Sequence, residues 1–484
     1  MGSTVTTKPA RAHTAESDYL SPPGREIPDL LRYPHTDLGN AERLVAMFGH
    51  NIRYCPPMKK WLVWNGRQWK VDGDGGINRK AKATVREFGA QAADIGDKEE
   101  REKAEGFAKC SESAGSIRAM LECARYERGI SISTAELDTN PWLLNCPNGT
   151  VDLETGELRE HRQEDLITKM CPIEYDFSAE CPRFEKFLRR IFDDNEEVMS
   201  FIQRAFGYAL TGVVSEKAVF CFFGEGNNGK TTLLEVIRYV LGEYSGQLMI
   251  DSLIRRGAQQ GANSNTLADL SDLRGARLVT TSEAEEGAKL VEGQIKQLTG
   301  MGQVKTCRKY ENPITFQPTF KIFIDANHRP VVTGTDKAIW NRLKPVPFTI
   351  TIPDDEMDKS LIETLKGEAA GILTWAVIGC RVWQLEGRLG SPPEVEHAVG
   401  EWRSESDPLP GFIERCCTLT PDSFCPAADL IAAYKEWADG EETVLTSNQL
   451  SNRLRLLGCA PDRKKIKGKQ VRIWRGIQLR KERG

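Results

Sequence analysis

The chain reads as a multidomain α/β protein on three observations. Its 484 residues exceed the length over which one hydrophobic core keeps growing, so several domains are expected. Residues 218–223 form a short unbroken apolar run, the pattern of a central strand in a parallel sheet covered on both faces. That run meets a glycine-rich turn and then a helical stripe of Leu233, Val236, Ile237, Val240 and Leu241, stopped by Gly242. Two further apolar runs, 277–281 and 320–324, supply more strands of the same kind.

Before that sheet the elements are of other kinds. Residues 1–35 carry scattered Thr and Pro with no sustained apolar period and are expected to be a disordered arm. Thr36 and Asp37 can cap a helix whose apolar positions are Leu44, Val45 and Phe48, and 61–72 suits a hairpin around Asn65-Gly66. Residues 80–128 are helical and heavily charged, and 149–158 returns to extended chain with a turn at Thr155-Gly156. A helical stretch with Phe184, Phe187, Leu188, Ile191, Phe201, Ile202 and Phe206 leads into the central strand. No internal repeat is visible.

Composition excludes several classes. Apolar residues make up 40% and charged ones 28%, with a net charge of only -4, so the chain is neither a basic coat nor an acidic tail and any nucleic-acid contact must be local. Thirteen cysteines show no paired C-x-x-C spacing, and six histidines leave little to complete a metal site. They read as reduced thiols in a cytosol; Cys416, Cys417 and Cys425 have no histidine nearby and read as structural rather than as zinc ligands. The longest strongly apolar stretch, 369–380, falls short of the ~20 residues that span a bilayer. Residues 1–6 formally fit a myristoylation pattern, but such loose patterns match by chance and nothing else suggests a membrane.

The loop after the first strand is Gly224-Glu225-Gly226-Asn227-Asn228-Gly229-Lys230-Thr231, which fits G-x-x-x-x-G-K-[ST] in the required strand–loop–helix order. Gly224, Gly226, Asn227, Asn228, Gly229, Lys230, Thr231 and Thr232 are therefore the candidate ATP-binding residues. Glycines let backbone N–H groups wrap phosphates at a helix N-terminus, Lys230 reaches the terminal phosphates, and Thr231 ligates Mg2+. The second strand ends at Ser282-Glu283-Ala284-Glu285-Glu286, where a carboxylate can hold the magnesium shell and orient water. Glu283 is the first candidate and Glu285 the second; a solvated acidic loop is the competing reading. The third strand runs into Asp325-Ala326-Asn327-His328-Arg329-Pro330, where the Asn327 amide can contact phosphate and water, although an Asn in a turn before proline has a purely structural reading.

These elements in this order resemble the superfamily 3 helicases, particularly the helicase region of the phage and plasmid primase-helicase family. The likeness also covers Ile295-Lys296-Gln297-Leu298-Thr299-Gly300 and Ile339-Trp340-Asn341-Arg342-Leu343. It implies an AAA+-like P-loop core, Asn327 as a sensor and Arg342 as an arginine finger for the neighbouring subunit's nucleotide. Residues 145–153, Asn-Cys-Pro-Asn-Gly-Thr-Val-Asp-Leu, look like the N-terminal module of phage and poxvirus relatives, and 409–476 looks like a winged-helix tail. The implied organisation is a 36–178 α+β module, a 179–206 helical collar for oligomerisation, a 207–390 ATPase domain and a 405–484 winged helix. One departure is Met301-Gly302-Gln303, where the family usually has a glycine and an aspartate. The hairpin after it keeps Lys305, Arg308 and Lys309, which relatives project toward single-stranded DNA; a solvated basic turn is the alternative.

Residues 453–484 hold twelve Lys and Arg against two acids, Asp462 and Glu482, the local excess expected of a phosphate-binding surface. Arg453, Lys464, Lys465, Lys467 and Lys469 are the candidate DNA contacts, with Asn448, Gln449 and Asn452 on a helix that could face bases. A solvated loop or a protein-docking surface is the competing view. The whole implies an ATP-driven replicative helicase in a bacterial cytosol, a homo-hexamer with shared ATP sites moving 3′ to 5′ on single-stranded and forked DNA. Without paired aspartates on a strand or a zinc ribbon ahead of the core, no primer synthesis is expected, and a separate primase could be a partner. An origin-binding initiator and a helicase loader are the alternatives from other classes.

Overall fold

The computed structural model describes residues 27–255, 270–281, 288–306, 314–332, 336–438, 445–466 and 469–480. The expected arm lies outside these up to residue 26. The described chain divides into two compact units, one of 27–139 with His161–Thr168, the other of Asn140–Glu160 with 169–480.

The first unit opens with α1 (Asp37–Phe48), whose N-terminus is capped as expected, the Thr36 hydroxyl accepting the Gly39 amide at 3.0 Å. A three-stranded antiparallel sheet follows, β1 (Ile52–Cys55), β2 (Lys60–Trp64) and β3 (Trp69–Val71). The β2–β3 turn is closed by the Asn65 side chain, which accepts the amides of Arg67 and Gln68. Helices α2 (Gly76–Ala93), α3 (Lys98–Ser111) and α4 (Ala114–Ala124) complete the unit. Leu44, Phe48, Tyr54, Trp61, Val85 and Met120 share one core. Arg43 is fully buried; it donates to the carbonyl oxygens of Leu30, Tyr33 and Pro34 and lies 4.0 Å from the Phe88 ring centre, and burial pushes it down to about 10.

The second unit begins with the antiparallel sheet β4 (Leu143–Cys146), β5 (Gly149–Asp152), β6 (Glu157–Arg159). The sequence reading assigns this segment to the N-terminal module, but its apolar side chains Leu144, Cys146, Val151 and Leu153 share a core with Phe206, Leu233 and Val236. Burial therefore ties 140–160 to the larger unit, and the chain returns to the first unit for His161–Thr168. The Asn145–Leu153 motif also has a local explanation. Asn145 accepts the Thr150 hydroxyl at 3.0 Å, and Asn148 exchanges two hydrogen bonds with the backbone of Tyr175.

Helices α5 (Pro182–Ile191) and α6 (Glu196–Leu210) lead to the central sheet. In chain order it contains β7 (Val219–Phe223), then helix α7 (Lys230–Leu241), β8 (Ser245–Leu248), the short β9 (Ile254–Arg255) outside the sheet, and β10 (Leu278–Thr281). After β11 (Lys289–Leu290), helix α8 (Glu292–Leu298) and the hairpin β12 (Val304–Thr306), β13 (Ile314–Phe316) come β14 (Lys321–Ala326), the single turn α9 (Lys337–Trp340) and β15 (Leu343–Pro347). The five strands lie in the order β15-β7-β14-β10-β8 and every pair is parallel. β7 and β14 are therefore internal and covered on both faces, which is why β7 reads as an unbroken apolar run and β14 as an apolar centre, Ile322–Ile324, between Lys321 and Asp325.

On one face, α6 and α11 (Ala369–Glu386), which follows α10 (Leu361–Gly367), pack over the sheet, with Phe206 stacked on Phe323 at 5.1 Å between ring centres. The two helices touch backbone to backbone: a Cβ on Gly207 would lie 2.1 Å from the Cys380 nitrogen, and one on Gly379 2.1 Å from the Gln203 carbonyl oxygen. On the other face Val219, Cys221, Ile322 and Ile324 meet Ile295, Leu298, Trp340 and Trp402, the last on α12 (Pro393–Glu405). Two buried cations fasten the strand beginnings. Lys321 donates to the Thr211 carbonyl and Arg277 to those of Leu210 and Leu143, and burial, then the neighbouring Arg277, holds Lys321 well below the usual lysine range.

The C-terminal segment runs α13 (Leu409–Cys416), β16 (Cys417–Pro426), α14 (Ala427–Trp437), α15 (Ser447–Leu456), β17 (Ala460–Ile466), β18 (Lys469–Leu479). Its antiparallel sheet has the order β16-β18-β17, and Phe412, Leu430, Tyr434, Leu454 and Ile477 fill its core. The twelve described cysteines are free. No described helix is long and apolar enough to cross a membrane.

Candidate nucleotide site and basic surfaces

The glycine-rich loop leaves the C-terminal end of β7 and enters α7 at Gly229, which caps the helix in the left-handed region at φ 84°. A Cβ there would also lie 2.7 Å from Ile191, so α5 presses against the loop and only glycine fits. Asn227 takes φ 58°, a conformation asparagine tolerates, and its carbonyl accepts the Ile352 amide at 2.7 Å. Asn228 is buried; its side chain donates to the Glu225 carbonyl and accepts from the Lys230 ammonium at 3.2 Å. The loop is thus shaped by its own asparagines.

Lys230 Nζ donates to the Gly224 carbonyl at 2.6 Å and to Asn327 Oδ1 at 3.4 Å. Asn327 follows β14, and the register Ala326↔Phe223 places the two strand ends side by side. The spacing between the loop and Asn327 in sequence is thereby closed by strand pairing. Gly226, Asn227, Asn228, Gly229, Lys230, Thr231, Thr232 and Asn327 line a cavity of about 640 Å³, a size that suits a nucleotide. Its far wall is Phe187, Ile352 and Leu361, flanked by ion pairs Arg190–Glu356 at 2.9 Å and Arg183–Asp358 at 3.6 Å. Arg183, Phe187 and Arg190 stand in the segment read from sequence as a collar; nothing in their spacing signalled a cavity wall. Ser360 hydrogen bonds and then Arg183 hold Asp358 below the usual carboxylate range.

Thr231 donates its hydroxyl to Asp325 Oδ2 at 2.8 Å. Asp325 is 7% exposed near the end of β14, beyond the apolar residues Ile322, Phe323 and Ile324, and was not singled out in the sequence; its one signal was a carboxylate closing a buried run. Hydroxyl and carboxylate are the hard oxygen donors that Mg2+ takes, and Mg2+ keeps most of its shell for water and phosphate. The absence, among the described residues, of three clustered acids, His or Cys therefore does not count against it. Glu283 and Glu285 lie outside the described residues; β10, which leads to them, is next to β14 with Thr281 opposite Ile324.

Arg342 sits at the turn between α9 and β15. Its guanidinium donates to the Ala338 carbonyl at 2.6 Å and to the Thr299 hydroxyl at 3.3 Å, so the arginine motif meets the motif ending in Thr299-Gly300. The hairpin β12–β13 pairs Val304 with Phe316 and presents Lys305 to solvent, while Arg308 and Lys309 lie outside the described residues.

In the C-terminal segment the expected contacts divide. Lys464, Lys465 and Lys469 are exposed on the β17–β18 hairpin, where Arg463 stands opposite Arg472; Lys467 lies outside the described residues. Like charges opposite each other oppose pairing, so an anion at this edge is favoured. Arg453 corrects the reading: it is 5% exposed and ion-paired with Asp407, because its position on α15 faces the chain entering α13 rather than solvent. Gln449 is likewise engaged, forming a capping box with Thr446 at the start of α15. Asn448 and Asn452 remain exposed.

A "D5 N terminal like" family model matches residues 41–193, and a "Family of unknown function (DUF5906)" model matches 222–342. "Putative helicase L207/L206" of Acanthamoeba polyphaga mimivirus is 27% identical over 299 residues, which cover 57% of this chain and 30% of that protein. "Putative helicase 022R" of Frog virus 3 is 25% identical over 382 residues, 62% of this chain and 39% of that protein. "Putative primase C962R" of African swine fever virus is 26% identical over 214 residues, 43% of this chain and 22% of that protein. The chain thus spans well under half the length of these curated relatives, all from viruses of eukaryotes. The solved C-terminal region of NrS-1 is 11% identical, with a TM-score of 0.47 over 87% of this chain and 95% of that one.

Proposed function

Because the chain belongs to the D5-like primase-helicase family, we propose that it is an ATP-dependent DNA helicase of superfamily 3 that acts in replication of a virus, phage or other mobile element. The observation that carries this is the loop 224–231 at the end of an internal parallel strand, with Lys230 reaching Asn327 just beyond the adjoining strand. The reading takes 207–390 as the AAA+-like motor, 179–206 as the collar of a hexameric ring and 405–484 as a winged helix. The helix, strand, helix, helix, hairpin order of the last segment supports that assignment.

The loop amides and the N-terminus of α7 bind the phosphates, and Lys230 turns from the Gly224 carbonyl to the terminal phosphate. Thr231 and a strand-end carboxylate would hold a magnesium ion, which would supply positive charge to neutralise the phosphates. Asn327 positions the attacking water and Glu283 orients it. Arg342, released from Thr299, reaches the neighbouring subunit's nucleotide, so hydrolysis depends on the ring. Lys305, with Arg308 and Lys309, tracks single-stranded DNA, movement is 3′ to 5′, and Lys464, Lys465, Lys467 and Lys469 hold duplex phosphate.

The test is unwinding of a forked DNA with ATP and Mg2+ by the native chain, Lys230→Ala and Arg342→Ala, with assembly followed in parallel. Native unwinding lost in both variants while rings persist is the expected result. DNA-stimulated hydrolysis without strand displacement would replace the motor by a loader, and strong preference for one duplex sequence would favour an initiator.

A further inference from the structure

Resting on the reading of 224–231 as an ATP and magnesium site, we propose that Asp325, on strand β14, supplies the carboxylate of the magnesium shell. P-loop enzymes hold magnesium with the loop Ser or Thr and an aspartate at the end of a neighbouring strand. In this chain the run after β10 is Ser-Glu-Ala-Glu-Glu, with no aspartate and a serine at its first position. The carboxylate that meets the loop threonine is instead on the strand between β7 and β10.

Its placement follows from register. Asp325 pairs with Phe222, one residue before β7 gives way to the loop, and lies one step beyond the Thr281↔Ile324 pair. It is therefore at the C-terminal edge of the sheet, where α/β sheets bind their ligands. Thr231 Oγ1 gives its single proton to Asp325 Oδ2, which leaves the hydroxyl lone pairs for a cation. Thr231 also lines both the 640 Å³ cavity and a second one of about 800 Å³ that contains Asp325 and Thr281, so the pair stands where the two meet.

The experiment is equilibrium binding of mant-ADP to the full chain in Mg2+ and in EDTA, with Mn2+ affinity of the nucleotide complex read by electron paramagnetic resonance. The native chain is expected to bind mant-ADP more tightly with Mg2+. Asp325→Asn should bind as well or better in EDTA, having lost a negative charge beside the phosphates, yet lose the Mg2+ gain and about tenfold or more in Mn2+ affinity. Retention of the gain in both Asp325→Asn and Asp325→Ala overturns the proposal. Loss of binding in EDTA by both variants overturns it too, making Asp325 a brace of the loop. A native chain that binds no nucleotide under either condition defeats the underlying ATP reading instead.

Discussion

Lys230 Nζ lies 2.6 Å from the Gly224 carbonyl oxygen and 3.4 Å from Asn327 Oδ1, so the lysine bridges the first residue of its own loop and the end of the adjacent strand. A phosphate entering the loop replaces a neutral acceptor by an anionic one, adding ion-pair attraction to a bond whose donor is already charged. Lys230→Ala is therefore expected to lower ATP hydrolysis by about 10²–10³-fold, the usual loss on removing one preorganised donor. Far-UV circular dichroism and the melting curve should be nearly unchanged, since these lysine bonds tie loop to loop rather than core to core. Hydrolysis within a few fold of native would remove Lys230 from the phosphate site.

Arg342 gives the intersubunit part of the reading its own test. Its bonds to Ala338 and Thr299 are within its own chain, so the residue must exchange them for a neighbour's nucleotide when a ring turns over. Arg342→Ala should bind mant-ADP like the native chain but lose about 10³-fold or more in hydrolysis. Mixed with Lys230→Ala subunits, it should recover part of that activity, because some interfaces then combine an intact loop with an intact arginine. No recovery on mixing, with assembly intact, would place Arg342 in a structural role.

Much of the site was legible because each local signal agreed with the fold. The run 218–223, the loop and the stripe to Leu241 became β7, the loop and α7, since a strand buried on both faces and a helix buried on one leave distinct apolar periods. Three things were not legible. Asp325 sits among residues that read only as strand, and its partner Thr231 is distant in sequence; parallel pairing alone brings them together. Arg453 counted as one more positive charge in a basic tail, because a count cannot tell which side of α15 faces Asp407. The affiliation of 140–160 with the larger unit was hidden for the same reason, being a matter of which core Leu144 and Val151 share.

The contact of α6 with α11 predicts where stability is concentrated. A Cβ on Gly207 would meet the backbone of Gly379 and Cys380, which cannot yield as a side-chain tip would. Gly207→Ala is expected to destabilise the larger unit by about 1–3 kcal/mol or more, read by urea unfolding. Gly400, on the exposed face of α12 with nothing near its added Cβ, is the control: Gly400→Ala should be neutral or stabilise by up to about 1 kcal/mol. Equal effects at the two positions would mean that helix propensity, not close approach, governs Gly207.

The basic hairpin and Arg453 make opposite predictions about salt. Lys464, Lys465 and Lys469 are exposed, with the Lys464 ammonium 3.6 Å from the Phe424 ring centre, and Asp462, the one acid on the hairpin, is bound to Arg475 at 2.6 Å. If these three lysines neutralise duplex phosphates, replacing them together by alanine should flatten the dependence of log affinity on log salt by roughly 2.7, about 0.9 per phosphate contact. Arg453 is buried against Asp407, so Arg453→Met should leave that slope alone and instead destabilise the C-terminal segment, by roughly 1–3 kcal/mol. Fluorescence anisotropy across a salt series separates the two. A slope that falls with Arg453→Met while the triple variant keeps the native slope would move the DNA surface from the hairpin to the face of α15 now held against Asp407.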